Sequence, residues 1–204
     1  MKTFLHVGCG PIYINPKTRE PLRIKGFAPA EWRELRLDIN PEVKPDVLGT
    51  MIDMSAVTTG SMDAIYSSHN IEHLYPHEVP LALAEFKRVL RADGFAVITC
   101  PDLQAVCALV ADDKLTEPAY VAEVGPIAPL DILYGLRSSM AAGNLYMSHR
   151  CGFTRKVLMG TLDAAGFAKV VGFRRPQQFD LWALASVANR EDEIIQAMAL
   201  QYFP

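Results

Sequence analysis

The run Thr3-Phe4-Leu5-His6-Val7 leads directly into Gly8-Cys9-Gly10, and the next apolar run, Leu35-Arg36-Leu37, ends on Asp38. Glycines at the end of a strand let the backbone turn sharply and approach a ligand with no Cβ in the way. A carboxylate ending the following strand is how a doubly wound α/β sheet accepts the hydroxyls of a ribose. Gly-X-Gly alone fits any tight turn; the order of strand, glycines, strand and carboxylate carries the reading. It predicts an α/β, doubly wound, mostly parallel sheet whose first strands hold an adenosine-bearing cofactor.

A dinucleotide site requires a third glycine three positions after the second, so that strand and helix pack closely around a pyrophosphate. Position 13 is Tyr13, and Pro11, Asn15 and Pro16 oppose a regular helix directly after Gly10. The helix N-terminus that would hold a pyrophosphate is therefore missing or displaced. NAD fits poorly, whereas an adenosine cofactor without phosphates needs only Gly8, Gly10 and Asp38.

The 204 residues are enough for one full core, and no linker, repeat or low-complexity tract divides them. A single domain over 1–204 is expected. A net charge of -3 with 50% hydrophobic residues argues against a basic nucleic-acid surface, so no DNA partner is expected. Cys9, Cys100, Cys107 and Cys151 lack CxxC spacing and disulfide-scaffold density, which suits reduced thiols and a cytoplasmic location. No segment reads as a signal peptide or as the roughly 20 apolar residues of a membrane span.

Strands are predicted at Thr3–Val7, Glu34–Asp38, Asp46–Leu48, Ala64–Tyr66 and Phe95–Cys100, with later ones at Ala168–Phe173 and Leu181–Val187. Val79, Leu83, Phe86 and Leu90 recur at helical spacing, giving a helix over about 78–91 that Asp93-Gly94 stops. Thr154 is placed to cap a second helix that Gly166 ends. Between about 102 and 150 the pattern lapses into Ala- and Leu-rich pieces broken by Pro and Gly. Such an insertion serves as an active-site cover or as a helical packing appendage.

Four segments in order resemble the class I S-adenosylmethionine-dependent methyltransferases. They are His6-Val7-Gly8-Cys9-Gly10, then Leu37-Asp38, then Asp63-Ala64-Ile65-Tyr66-Ser67-Ser68-His69-Asn70-Ile71-Glu72-His73, then Glu85-Phe86-Lys87-Arg88-Val89-Leu90-Arg91-Ala92-Asp93-Gly94. The last two resemble the family's D-x-I/V-x-x-x-H-x-x-E-H strand end and its E-x-x-R-V-L-K-P-G-G helix and turn. Pro101-Asp102-Leu103, His149-Arg150 and Ala165-Gly166-Phe167 further resemble a group of small bacterial members. Two features depart from the pattern: Ala92-Asp93-Gly94 replaces Pro-Gly-Gly, and Pro11 to Arg33 shows no helix signature.

The resemblance implies a seven-stranded Rossmann-like sheet, S-adenosylmethionine as cofactor and a small-molecule acceptor. Gly8, Cys9 and Gly10 would lie beside the methionine portion, Asp38 and its neighbour Ile39 at the ribose, and Asp53 with Met54 at the adenine. Ser68 and His69 would stand beside the transferred methyl group. His69 is either the base that takes the acceptor's proton or a structural hydrogen bonder. Asn70, His73, Tyr134, His149 and Arg150 are acceptor-side candidates, although packing plus a solvated charge is the commoner role for such a cluster, and capping or packing the commoner one for His73. Asp53 reads equally as a loop cap. Trp32 and Trp182 read as core. The Asp/Asn-Pro-Pro-Tyr signature of amide and base-amine methylators is absent.

Two other readings stand beside this one. A chain that keeps the cofactor residues without turnover would be a binding or regulatory module. His69-Asn70-Ile71-Glu72-His73 also matches H-x-x-E-H, in which two histidines one helical turn apart bind zinc beside a glutamate base. That requires a helix, yet a strand precedes His69 and Tyr75-Pro76 follows closely, so no metal is expected.

Overall fold

Lys2–Val7 forms β1, an interior strand of the sheet that pairs in parallel with both of its neighbours. β2 (Trp32–Asp38) and then β3 (Val47–Leu48) extend one way; β4 (Met62–Ser68) and β5 (Leu90–Pro101) extend the other. β9 (Asp180–Ser186) adds antiparallel to β5, and β8 (Lys169–Arg175) completes the order β3-β2-β1-β4-β5-β9-β8. The computed structural model describes every residue except Pro16 and Glu123, so the expected helix-breaking role of Pro16 lies outside the described residues. A seven-stranded, mostly parallel α/β sheet is thus present, as expected. The chain reverses its direction of travel across the sheet between β1 and β4, the position where such folds open a crevice beyond the strand ends.

Alternation along the strands divides the core. Leu5, Val7, Leu37, Ile65, Ala96 and Ile98 face α1 (Val79–Val89) and α5 (Arg155–Ala164), which bury Leu83, Phe86, Leu158 and Leu162. Pro80 is tolerated in the first turn of α1, and the Thr154 hydroxyl caps α5 by accepting from the Val157 amide at 3.4 Å. The opposite face carries Phe4, Ala64, Phe95, Val97 and Leu184 with Phe27 and Trp32.

A C-terminal helix that the sequence pattern did not announce, α6 (Asp192–Tyr202), covers that second face with Ile195, Ala199 and Tyr202. It lies where residues 11–31 show no helix among the described positions. The Tyr202 ring packs 4.9 Å from both Phe27 and Phe95. Gly26 (φ +84°) sits beneath that ring, where an added Cβ would come within 2.3 Å of it.

The expected end of α1 is corrected. Leu90 leaves the helix with extended backbone and pairs with Met62, so β5 begins five residues before Phe95. Asp93-Gly94 belongs to an irregularity in that strand pair and does not stop the helix. Burial of Leu90 in the sheet core outweighs one further helical turn.

Residues after β5 build α2 (Leu103–Ala111), the hairpin β6 (Tyr120–Ala122) and β7 (Gly125–Ile127), α3 (Pro129–Tyr134) and α4 (Arg137–Ala141). Their small core is Val106, Ile127 and Ile132. Arg137, 2.7 Å from Asp131, holds that carboxyl down to about 2. Asp102, fully buried, roots the insertion: it accepts from the Gln104 and Ala105 amides and pairs with Arg174 at 2.6 Å. Asp102→Ala removes a helix cap and strands the guanidinium. It should cost about 2 kcal/mol in urea unfolding, below a fully buried pair because Arg174 can turn toward solvent.

Candidate active site

Register places the ends of β1, β2 and β4 side by side, with Val7 opposite both Leu37 and Ser67. Beyond them opens a cavity of about 1340 Å³. Gly8, Cys9, Gly10, Asp38, Ile39, Ser68, His69, Asn70, His73 and Arg150 all line it. Residues 124–150 of the insertion supply part of the wall, including Tyr146.

The glycine turn is built by backbone. The Gly8 and Cys9 amides donate to Leu37 O at 2.9 and 3.1 Å, and the Gly10 amide donates to Asp38 Oδ2 at 2.8 Å. Asp38 Oδ1 accepts from the Asn40 amide at 2.9 Å. The buried carboxylate therefore ties the turn to β2, and each oxygen keeps further acceptor capacity. Both glycines have positive φ, +64° and +58°, which costs other residues about 1–2 kcal/mol. Their surroundings differ. A Cβ on Gly8 would strike the Asn70 amide at 2.0 Å, whereas among the described residues nothing lies within 4 Å of one on Gly10. Gly8 makes room for protein; Gly10 opens onto free space. Burial pushes the Cys9 thiol up to about 11, so it is not a nucleophile at neutral pH.

His69 follows β4 in left-handed backbone (φ +48°), with its amide donated to Thr99 O at 3.0 Å. Ser68 Oγ lies 3.1 Å from Thr99 Oγ1. This bend leaves the imidazole half exposed toward the cavity, with Nδ1 3.5 Å from Glu72 Oε1. Burial disfavours protonated His69, but the Glu72 carboxylate outweighs it and raises the pKa. Glu72 is itself buried; desolvation opposes its charge, and His69, His73 and His149 together hold its pKa below the ordinary value. For His149, burial dominates and lowers the pKa.

Four sequence candidates lie elsewhere. Asp53 is exposed and accepts from the Ser55 amide at 3.0 Å, while the Met54 amide donates to Glu85 Oε2 at 2.6 Å and its side chain is core. Neither lines the cavity; Thr50 and Met51 stand there instead, in a turn that presents no distinctive residue type. Tyr134 does not line the cavity, and its carbonyl accepts from the His149 amide. His149 packs behind His73, ring centroids 4.9 Å apart. Arg150 stacks over Tyr75 at 4.7 Å from the ring centroid and donates to His73 O.

The H-x-x-E-H reading fails on geometry. His69 follows a strand and Ile71–His73 is a single 3₁₀ turn, so the two histidines do not share one face of an α-helix. All four cysteines are free. No helix among the described residues is long and apolar enough to cross a membrane.

A crevice at the switch point of this strand order, floored by a glycine turn and a buried aspartate, defines a Rossmann-like fold of the methyltransferase type. Residues 5–98 match the model of the family described as "Methyltransferase domain". The fold is similar to an S-adenosylmethionine-dependent methyltransferase of Thermotoga maritima (TM-score 0.55, 14% identity, 92% of this chain and 83% of that one). It is similar also to one of Archaeoglobus fulgidus (TM-score 0.53, 13% identity, 91% and 86%). A third similar structure is the 1,6-didemethyltoxoflavin-N1-methyltransferase of Burkholderia thailandensis, with its substrate and S-adenosylhomocysteine bound (TM-score 0.50, 16% identity, 90% and 70%). No curated protein matches the sequence. Residues 5–98 thus match a methyltransferase-domain model, and the chain has the fold of S-adenosylmethionine-dependent methyltransferases.

Proposed function

We propose that the chain methylates a small-molecule acceptor held beside S-adenosylmethionine in this cavity. The observation that carries the reading is the meeting of Gly10, Asp38 and His69 at one crevice, with free space above Gly10. S-Adenosylmethionine would supply a sulfonium methyl group for in-line attack by the acceptor, with S-adenosylhomocysteine as the leaving group. Asp38 accepts the two ribose hydroxyls and Gly10 gives the methionine portion its close approach. Thr50 and Met51, rather than Asp53 and Met54, border the adenine.

His69, on the cavity wall with Glu72 behind it, takes the proton that the acceptor loses on attack. Ser68, hydrogen-bonded to Thr99, fixes the strand end beside it. Positioning supplies much of the remaining acceleration. The cavity exceeds the roughly 300–1,000 Å³ that a single small ligand occupies, which leaves room for an acceptor. The toxoflavin-precursor enzyme accommodates such a pair. Tyr146 and Arg150 stand on the acceptor side, where Arg150 suits a carboxylate or phosphate group.

Calorimetry with S-adenosylhomocysteine tests the cofactor half, with one molecule expected per chain. Release of S-adenosylhomocysteine from S-adenosylmethionine over a panel of hydroxyl, amine and sugar acceptors tests the rest. Binding without release on every acceptor would favour a regulatory module. Failure to bind would remove the proposal.

A further inference from the structure

Glu72 occupies an unusual position for a carboxylate. It is 1% exposed, and neither oxygen has a hydrogen-bond partner among the described residues. A buried, unpaired charge is costly, and a site that keeps one has a compensating partner. The nearest groups are imidazoles, with His149 Nε2 at 4.0 Å and His69 Nδ1 at 3.5 Å from Oε1.

Two imidazoles beside Glu72, those of His73 and His149, are held in the form a cation requires. His73 Nδ1 lies 3.0 Å from Ser148 O, and His149 Nδ1 lies 2.8 Å from Ile132 O. A carbonyl only accepts, so in each ring Nδ1 carries the hydrogen and the neutral form presents its Nε2 lone pair. Carbonyl-anchored imidazoles of this kind are the usual support behind metal-ligating histidines. The Arg150 and Cys151 amides donate to Glu72 O at 2.8 and 3.2 Å, locking the His149 segment against the turn that carries Glu72 and His73.

We propose that Glu72, His73 and His149 form a site for a divalent transition-metal ion of the zinc class. Their ligand atoms lie within 4.8 Å of one another. With bonds of about 2.0–2.2 Å, two ligands of one ion are at most about 4.4 Å apart, so the group must close by a few tenths of an ångström. Two imidazole nitrogens and one carboxylate oxygen favour zinc, cobalt or nickel over magnesium or calcium. Three protein ligands leave a coordination position open. His69 is outside the set. His73 also lines the cavity, so an ion here borders the acceptor end and suits an acceptor oxygen, nitrogen or sulfur as its further ligand. That last point rests on the methyl-transfer reading; metal binding does not.

The test uses the full chain stripped with chelator, then titrated with zinc against a chromophoric competitor, with S-adenosylhomocysteine affinity and thermal midpoint measured in parallel. One zinc per chain with submicromolar affinity is expected. Glu72→Gln and His149→Ala should each weaken it by at least about 100-fold, while His77→Ala matches wild type. Cobalt loaded into wild type should give visible d–d bands of a low-coordinate site, lost in His149→Ala; this second reading stands even if Glu72→Gln folds poorly. Absence of stoichiometric zinc in wild type, or equal affinity in a folded His149→Ala variant, would overturn the proposal. Zinc binding without S-adenosylhomocysteine binding would instead sink the methyl-transfer reading and leave the metal site standing.

Discussion

Replacing His69 with asparagine should lower kcat by about 100-fold or more, with S-adenosylhomocysteine affinity unchanged. Asparagine is the right replacement because His69 sits at φ +48°, a conformation asparagine tolerates better than alanine. The backbone bond to Thr99 O survives, so the strand end keeps its shape while the imidazole is lost. A positioned proton acceptor contributes about 10²–10⁴-fold, and its loss falls on kcat if the group acts only as the acceptor attacks. Steady-state kinetics on whichever acceptor the screen identifies, with calorimetry alongside, decides the matter. A variant keeping more than about a tenth of wild-type kcat would leave His69 a structural role and assign the acceleration to positioning.

The second large effect is on the cofactor. Asp38→Ala should weaken S-adenosylhomocysteine binding by about 100-fold, close to 2.7 kcal/mol. Each charge-assisted bond to a ribose hydroxyl contributes roughly 1.5–3 kcal/mol, and two are lost together without full additivity. The same carboxylate accepts from the Gly10 and Asn40 amides, so the variant also releases the turn that floors the cavity. Asp38→Asn separates the two contributions: it keeps the shape and a carbonyl acceptor but not the charge, and should fall between wild type and Asp38→Ala. Equal affinity in wild type and Asp38→Ala would show that the ribose is held elsewhere.

The residues that were legible in advance share a feature: each is defined by a short stretch around it. Gly8, Gly10 and Asp38 announce themselves because a glycine turn after one strand and a carboxylate after the next are local patterns, and parallel pairing of β1 with β2 then brings them together. His69 was readable for the same reason, as the first residue past an apolar strand. All seven strands of the sheet were found because runs buried on both faces have a strong signature, although β4 and β5 reach beyond their expected ends. Asp53 and Met54, expected at the adenine from the family resemblance, do not line the cavity. They follow β3 closely, but a tight turn with a Thr50–Asp53 bridge sends the cavity Thr50 and Met51 instead. Nothing in the types of those four residues distinguishes the alternatives.

Sequence spacing was enough to specify the doubly wound sheet, its switch point and the glycine–aspartate floor, because strand periodicity and turn chemistry act over a few residues. Three things depended on long-range packing. α6 returns from the end of the chain to cover the face that residues 11–31 leave without a helix. The insertion folds back so that its residues wall the cavity. His149 is brought against Glu72 and His73, although 75 residues separate His73 from the Ser148 carbonyl that orients it. Such meetings follow from how apolar faces are buried against one another, which no local spacing records.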